Sequence, residues 1–421
     1  MKRNMNTKSQ QPRLDEVGVI ALAPDPWGRQ WMDRHYLMSR LADYFQVLWL
    51  YQPGWQESLS AMWHPGVASA AAQAPRPEAL QVYEPESWLP RLGRPASIAR
   101  MTSRERLQRA CARLRARGCK KIVFFVCRPE LADALEHGLH DFSAYYVSDE
   151  YSFSAKEVPV PPAERDVLKA AGVVFLTSPA LMEKRGAFNP NTQFIPMGVD
   201  FQKFATPVPE PEDLRDIPHP RIGYVGHLKN VLDWPLLLEL SDLHPEWSFI
   251  FVGPRRPHPE IDEVLRQMDL RSNVHFLGGK PTEVLGAYPQ HFDVCLMPYR
   301  LDDYTKYVYP LKMHEYLASG RPVVSSGIRS VEDFRHVVSI ASGREQWSNA
   351  IDRALSPEEN TAELRAARQS VAHEFDWGPL AHKVAAAIAK GVGIELPDRP
   401  ASVGREPAAY TIGQLKVPLN Q

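Results

Sequence analysis

The chain has 421 residues, of which 44% are hydrophobic and 24% are charged. This length favours two domains, and this composition excludes collagen, a coiled coil and wholesale disorder. The 49 Lys and Arg residues nearly cancel the 50 Asp and Glu residues, so the net charge gives no reason to expect nucleic acid as a partner. The four cysteines match neither a disulfide framework nor a zinc pattern, so we expect reduced thiols.

Residues 1–16 carry basic side chains but no apolar stretch behind them. They therefore lack the pattern of a signal peptide and are predicted to be a disordered leader. No run of 18 apolar residues predicts a membrane-spanning helix. We expect a cytoplasmic protein, with a peripheral position at the inner face of the cell membrane as the alternative.

From residue 17 onwards, short runs rich in Val, Ile and Phe alternate with stretches of helical period, a pattern typical of parallel sheets with crossover helices. The strands predicted in the first half are residues 17–23, 46–51, 121–127, 144–148, 173–177 and 193–196. Those in the second half are residues 221–225, 248–252, 274–277, 293–297, 322–325 and 337–340. Continuous apolar strands imply burial on both faces, so each half is predicted to be a doubly wound, Rossmann-like α/β domain.

A basic helix is predicted within the first half. Residues 91–121 contain eleven Lys and Arg residues and one acid, Glu105. The apolar residues at roughly helical spacing are Ile98, Leu107, Cys111 and Leu114. Such a helix docks on anionic lipid or, as the alternative, turns an Arg-rich face to solvent from an ordinary Rossmann domain. No aromatic platform accompanies the charge, so we expect no nucleic acid.

The break between the domains is predicted after residues 198–200, because residues 206–220 hold five prolines and no strand or helix period and therefore form a linker. The first domain is then residues 17–203 and the second is residues 204–375. A last helix is expected within residues 376–391, and residues 392–421 form a tail punctuated by Pro and Gly.

The segment that begins at Tyr309 carries the main indication of chemistry. Pro310 stands where a helix starts and Gly320 where it ends. A helix start at the carboxyl ends of parallel strands offers free N–H groups and a positive dipole end, which suit a pyrophosphate. Lys312 adds a positive charge, and Glu315 suits the two hydroxyls of a ribose. The alternative is ordinary helix punctuation with a solvated Lys/Glu pair.

These residues resemble the donor-site signature of the GT-B glycosyltransferases, specifically the family 4 group and its polysaccharide-synthesis relatives. The resemblance rests on residues 195–200, 223–228, 251–254, 273–278, 292–299, 310–312, 315–318 and 320–324. It implies a GT-B fold, in which two Rossmann-like domains face a cleft and helix 376–391 packs back on the first domain. It also implies that Gly226 leaves room for the phosphates, that Glu315 binds the ribose, and that the backbone at Leu311 and Lys312 holds the pyrophosphate.

The function implied by the resemblance is transfer of a sugar from a UDP- or GDP-linked donor to a glycan or lipid-linked acceptor in cell-surface polysaccharide synthesis. A sugar-nucleotide epimerase of the same fold is one alternative. A non-catalytic sugar-nucleotide-binding subunit of a polysaccharide assembly complex is another. No GxGxxG follows the first strand and no GxxxxGK[ST] occurs, which disfavours NAD-dependent oxidoreductases and P-loop NTPases.

The chain departs from the family pattern at two positions. Tyr307 stands where the family usually carries a second Glu, eight positions before Glu315. His227 follows Gly226 where an Arg is usual, so the nearest cation is Lys229. Whether the reaction retains or inverts the configuration therefore stays open.

Inverting relatives of the fold use an Asp or His of the first domain as a base. Asp149, at the carboxyl end of a predicted strand, is the candidate here, and a structural turn cap is the alternative interpretation of that residue.

Other residues have weaker indications. Trp27, Arg29 and Trp31 follow the first strand and are candidates for acceptor contacts, although a core role is favoured for Trp31. Further candidates for phosphate contacts are Arg255, Arg300 and Lys306. The pair Asp302 and Asp303 is predicted to cap a loop, because a helix start and Lys312 make a metal ion redundant for a diphosphate. We therefore expect no metal and no cofactor besides the nucleotide-sugar substrate.

Overall fold

The computed structural model describes residues 12–28, 31–51, 54, 56, 76–86, 88–89, 91–92 and 94–396. The first sheet has seven parallel strands in the spatial order β3-β2-β1-β4-β5-β6-β7. They are β1 Leu14–Ala23, β2 Phe45–Tyr51, β3 Leu80–Tyr83, β4 Lys121–Val126, β5 Phe142–Val147, β6 Val173–Leu176 and β7 Thr192–Phe194.

The second sheet has six parallel strands in the order β10-β9-β8-β11-β12-β13. They are β8 Arg221–Val225, β9 Ser248–Val252, β10 Val274–Gly278, β11 Val294–Met297, β12 Val323–Ser325 and β13 Ser339–Ile340. Two parallel sheets confirm the predicted α/β class.

Helices connect these strands. In chain order the described α-helices are α1 Asp33–Leu41, α2 Ala96–Ala116, α3 Pro162–Ala170, α4 Pro179–Arg185, α5 Phe201–Ala205, α6 Trp234–Leu243, α7 Asp262–Met268, α8 Thr282–Leu285, α9 Ala287–Gln290, α10 Leu311–Ala318, α11 Gly343–Leu355, α12 Ala362–Glu374 and α13 Trp377–Gly391. The 3-10 helices are Pro129–His137, Gly186–Phe188, Glu212–Leu214, Thr305–Tyr307, Glu332–Phe334 and Pro357–Asn360.

The sequence did not predict strand β3. It is four residues long and lies at the edge of the first sheet, between prolines at positions 77 and 85. Edge strands tolerate such neighbours because only one side needs backbone donors. Strand β1 begins at Leu14, so residues 14–16 of the predicted leader belong to the sheet, and residues 1–11 lie outside the described residues.

The last helix, α13, packs against the first sheet rather than the second. Its buried residues in the first-domain core are Trp377, Leu380, Ala381, Val384, Ala385, Ile388 and Ala389. Each large apolar side chain buried there contributes about 1.5–3 kcal/mol. The chain passes between the domains at two places, near Val199 and near Asp376, and these two segments lie side by side in parallel. The amide of Val199 donates to Phe375 O at 2.9 Å, and the amide of Trp377 donates to Val199 O at 3.0 Å.

The tail begins with residues that join the same core. The partly buried residues that pack there are Val392, Ile394 and Leu396. We did not expect this contribution of the tail, and residues 397–421 lie outside the described residues.

The basic segment forms helix α2, which buries one side against the first sheet. Leu107, Cys111 and Leu114 lie in the core, whereas Ile98 and Met101 are 43% and 65% exposed. Ile98 thus does not share the predicted buried stripe, because only the later turns of α2 cover the sheet. The four cysteines of the chain are buried and free. Within the described part of the chain, no helix combines the length and apolar composition needed to cross a bilayer.

Candidate functional site

The second-domain wall of a central cleft starts with two glycines that end neighbouring strands. Gly226 follows β8 with φ +145°, and Gly253 follows β9 with φ +150°. A Cβ on Gly226 would lie 3.1 Å from Lys312 Cε, and one on Gly253 would lie 1.9 Å from Gly226 O. Glycine is therefore required at both positions, for its backbone conformation and for the close approach.

Helix α10 begins beside these glycines, one residue after Pro310, and Gly320 follows its end with φ +75°. The amide of Met313 donates to Pro310 O at 3.1 Å. The amides of Leu311 and Lys312 precede it, at the open end of the helix, where backbone donors have no acceptor within the helix. The predicted anion-binding arrangement is thus present in the backbone.

Lys312 lies between two tyrosine rings in the first turn of α10. Its Nζ donates to the hydroxyl of Tyr299 at 2.8 Å and lies 5.2 Å from the centre of the Tyr224 ring. Burial alone would lower the pKa of Lys312, but Tyr224 and Tyr299 outweigh burial, so the pKa lies above its ordinary value. The ammonium group is therefore charged at any physiological pH.

Further cations surround this helix start. Burial lowers the pKa of His227 to about 4, with contributions from the nearby Lys229, Arg256 and Lys312. His227 is thus neutral at pH 7, while the three neighbours keep the site positive. Lys229 also lies near Asp149 of the first domain, which opposes the lowering of the Lys229 pKa by burial.

Glu315 lies three residues after Lys312 on the same helix. Burial raises the pKa of its carboxyl group, and the nearby Lys203 and Lys312 oppose that rise. Lys203, on α5, also donates to the hydroxyl of Tyr36 on α1 at 3.4 Å. The sequence offers no indication of Lys203, because only the tertiary fold brings helix α5, which precedes the linker, next to α10.

The first-domain wall centres on Asp149, two residues after β5. Its Oδ1 accepts the amide of Glu150 at 2.8 Å, and its Oδ2 accepts the hydroxyl of Tyr304, from the second domain, at 3.0 Å. Burial raises the pKa of Asp149 to about 6, although Tyr304, the Glu150 amide and Lys229 oppose the rise. A carboxylate that titrates near neutral pH suits general base chemistry.

Among the first-domain residues at the cleft that were not predicted, three are charged: Asp33, Arg34 and Arg128. Asp33 begins α1 and is 6% exposed, and burial raises its pKa. One of its carboxylate oxygens has no hydrogen-bond partner among the described residues. The sequence predicted that the loop after β1 lies at the cleft, with its tryptophans and Arg29 as candidates. Asp33 and Arg34, at the start of the helix that follows, were not among them.

In that loop the tryptophans have different positions. Trp27 is fully buried in the first-domain core, so it is not placed to contact an acceptor. Trp31 is partly buried, packs against the first-domain core and contacts Tyr36 with ring centres 5.1 Å apart, as predicted, and it also lines the cleft. Arg29 lies outside the described residues.

The three additional cations proposed for the phosphates pair with carboxylates elsewhere. Arg255 donates to Asp269 at 2.8 Å, and Arg300 donates to Glu260 at 3.1 Å. The third, Lys306, pairs with a glutamate of the first domain. None of the three is among the residues that line the cleft, so the structure does not bring them to the predicted phosphate site.

Tyr307, at the position of the expected second Glu, points away from the cleft. It is 5% exposed and packs in the first-domain core. Its hydroxyl donates to Glu157 Oε2 at 2.8 Å. The position therefore serves contact between the domains.

The candidate base and the six candidate donor-binding residues line one cleft of about 420 Å³ between the domains. They are Asp149, Gly226, Lys229, Pro310, Leu311, Lys312 and Glu315. This volume is within the range of ligand pockets. A second cavity, of about 650 Å³, lies beside the linker, but Glu212, Asp213 and Glu283 in its lining would repel a diphosphate.

The buried Asp149 carboxyl predicts a specific effect of pH on stability. Its pKa of about 6 in the folded chain exceeds the value near 3.9 of an unfolded Asp. Its contribution to stability is therefore complete below about pH 4 and is lost as the pH rises through about 6. Asp149→Asn should become more stable relative to the wild type over this interval, measured as the difference in unfolding midpoint at pH 4.5, 6 and 7.5.

Asp242→Asn is the control for that experiment. A hydrogen bond from Arg271 lowers the pKa of Asp242, so its loss should not stabilise the chain as the pH rises. A constant difference between Asp149→Asn and the wild type across the three pH values would contradict the environment described for Asp149.

Comparison with known proteins is consistent with this geometry. Residues 219–357, which include the whole second sheet, match the family model described as glycosyl transferases group 1. Over 197 residues the chain is 26% identical to TuaH of Bacillus subtilis (strain 168), whose name assigns it to teichuronic acid biosynthesis as a glycosyltransferase. The match covers 44% of this chain and 48% of TuaH, so the chain spans about half the length of this curated relative.

Two solved structures are similar over both domains. Anabaena HepE, crystallised with UDP and glucose, has a TM-score of 0.62 at 14% identity, over 89% of this chain and 99% of HepE. Sucrose-phosphate synthase from Thermosynechococcus elongatus has a TM-score of 0.67 at 16% identity, over 89% of this chain and 98% of the synthase. The chain has the GT-B fold, and its second domain is similar to the glycosyl transferases group 1 family.

Proposed function

We propose that the chain is a glycosyltransferase that moves a sugar from a UDP- or GDP-linked donor to a glycan or lipid-linked acceptor in cell-surface polysaccharide synthesis. The observation that carries the proposal is the juxtaposition, in one cleft, of the open start of α10 with a carboxylate of the other domain that titrates near pH 6. The Anabaena structure that shares the fold contains UDP and glucose, which favours UDP as the first donor to test.

On the donor side, the diphosphate is proposed to lie at the start of α10. The amides of Leu311 and Lys312, the helix dipole and the Lys312 ammonium would stabilise the charge that develops on the leaving diphosphate. Gly226 would let the phosphates approach the backbone, and Lys229 would add charge from the neighbouring loop. Glu315 would accept both ribose hydroxyls. With these groups in place, the diphosphate needs no metal ion, and we propose a metal-independent reaction.

On the acceptor side, Asp149 is proposed to be the general base. It would take the proton of the acceptor hydroxyl while that oxygen forms its bond to the anomeric carbon and the bond to the diphosphate breaks. This role requires inversion of configuration, because attack comes from the face opposite the leaving group.

The direct test incubates the purified chain with a panel of UDP- and GDP-sugars and with glycan or lipid-linked acceptors, with Mg²⁺ or with EDTA. Transfer that is equally fast in EDTA, with an inverted product by NMR, is expected. Interconversion of the nucleotide sugars would indicate an epimerase, and binding without turnover would indicate a non-catalytic subunit. Retention of configuration would remove the role given to Asp149.

Donor recognition is tested separately by Glu315→Ala. Loss of two charge-assisted hydrogen bonds to the ribose should weaken UDP binding by about 10- to 100-fold in calorimetry, with little change in unfolding midpoint. The wild type should prefer UDP to 2′-deoxy-UDP, and the variant should not.

Glu283→Ala is the matched control, because Glu283 also lies near Lys203 but lines the cavity beside the linker. Equal UDP affinity in the wild type and Glu315→Ala would remove the assignment of Glu315.

The acceptor-side domain is proposed to lie on an anionic membrane surface through the segment 91–121, with the first turns of α2 as the contact face. The first turns of α2 leave Ile98 and Met101 exposed, together with Arg94, Arg100 and Arg104. Basic side chains near anionic lipid contribute about 1 kcal/mol each, and exposed apolar side chains add to this. Such docking would bring the cleft to a lipid-linked acceptor.

Sedimentation with vesicles tests this surface. The wild type should bind vesicles that contain phosphatidylglycerol and not those of phosphatidylcholine alone, and Arg100→Glu with Arg104→Glu should weaken binding at least about tenfold. The control reverses Arg115 and Arg117 at the other end of α2. Equal losses in the two double variants would indicate a general charge effect instead of a docking face.

A further inference from the structure

The loop that follows β11 reaches from the second domain to the predicted base of the first. Tyr304 lies in this loop, and its hydroxyl donates to Asp149 Oδ2 at 3.0 Å. The family resemblance gave no reason to single out Tyr304. Asp149 thus has a partner on the opposite wall of the cleft.

The backbone around Tyr304 is held within its own loop. Asp302 Oδ1 accepts the amides of Tyr304 and Thr305 at 3.0 and 2.8 Å, which is the loop cap predicted for Asp302. The Thr305 hydroxyl donates to Arg300 O at 2.6 Å. The tyrosine is therefore positioned before any ligand binds.

The same loop is also fastened to the first domain at points that do not involve Tyr304. The amide of Asp303 donates to Ala155 O at 3.3 Å, and Asp303 Oδ2 accepts the amide of Glu157 at 3.0 Å. Lys306 and Tyr307 both contact the Glu157 carboxylate. These contacts would keep the domains together in a chain that lacks only the Tyr304 hydroxyl.

Charged and titratable groups face Asp149 from both domains. Lys229 approaches from the second domain, Asp33 from α1, and Tyr151 from the segment after β5. Lys229 favours the carboxylate and Asp33 disfavours it. The Tyr304 hydroxyl, unlike that of Tyr151, donates to Asp149 itself, so it stabilises and orients the carboxylate without adding charge.

We propose that Tyr304 is a positioning residue: by donating to Asp149 across the cleft, it holds the carboxylate ready to take the proton of the acceptor hydroxyl only while the two domains are together. The inference rests on the proposed function. Tyr304 keeps its own proton throughout. The acceptor proton moves to Asp149, the new C–O bond forms at the anomeric carbon, and the diphosphate leaves with the electron pair of the broken bond.

The test compares Tyr304→Phe with Tyr307→Phe, which removes a different hydroxyl of the same loop. The phenylalanine in Tyr304→Phe keeps the ring that lies 5.7 Å from Phe153. The first readout needs no substrate: the carboxyl ¹³C resonance of Asp149, assigned by its absence in Asp149→Asn, is titrated with pH. The second is the pH dependence of kcat, with UDP affinity measured in parallel.

Tyr304→Phe should move the midpoint of the Asp149 titration upwards by roughly one pH unit. The rising limb of kcat should move with it, and UDP affinity should stay the same. Tyr307→Phe should leave the Asp149 midpoint in place. An unmoved midpoint in Tyr304→Phe, or an equal shift in both variants, would overturn the inference.

The two proposals fail in different ways. If the wild type transfers sugar while the Asp149 midpoint does not move in Tyr304→Phe, only the inference about Tyr304 fails. If the wild type transfers no sugar from any donor, the proposed function fails, and the role of Tyr304 in catalysis fails with it.

Discussion

The site depends on the missing side chain at residue 226. A Cβ there would crowd both Lys312 and Tyr224, and the positive φ of this residue favours glycine, so the lysine lies close beneath the residue that follows β8. The charge of Lys312 is kept by the tyrosines around it. The loss of this one close approach would displace the cation from the helix start, and the helix dipole alone is worth less to an anion than the two together.

Strand order explains why these residues meet. In the second sheet β8 and β11 are neighbours, while the connections that follow them run in opposite directions, towards β10 and towards β13. Parallel sheets open a crevice at such a point. The first sheet changes direction in the same way between β1 and β4, and the loops after β1 and β5 supply Asp33 and Asp149. Two crevices that face each other form one cleft.

The crossing at the last helix holds this arrangement together. Trp377 of α13 stacks on Tyr36 of α1 with ring planes 6° apart, and Tyr36 accepts the Lys203 ammonium from the start of the linker. Helix α1 thus contacts the C-terminal helix and the connection between the domains, and it also carries Asp33. A movement of one domain relative to the other would therefore shift α1 and, with it, the position of Asp33 in the cleft.

The predictions that succeeded rest on local chemistry. Apolar strands between helical stretches are visible in a sequence, and so is the punctuation of a helix by Pro310 and Gly320. The roles given to the residues that line the cleft stay predictions. The failures concern tertiary partners. No spacing indicates that Arg255 pairs with Asp269 or that Tyr304 reaches Asp149, 155 positions away. Strand β3 was not predicted for a different reason. An edge strand of four residues buries too few side chains to show a strand pattern in the sequence.

Tyr307, which stands where a second glutamate was expected, contributes to the contact between the domains. Burial opposes the charge of Glu157, but hydrogen bonds from Lys184, Lys306 and Tyr307 lower the pKa of that carboxyl to about 2. A glutamate at 307 would replace one of these donors with a second negative charge. Like charges at this distance repel, and the loop would lose a contact with the first domain. The tyrosine therefore belongs to the contact between the domains, and the family's second carboxylate has no counterpart at this position of the cleft.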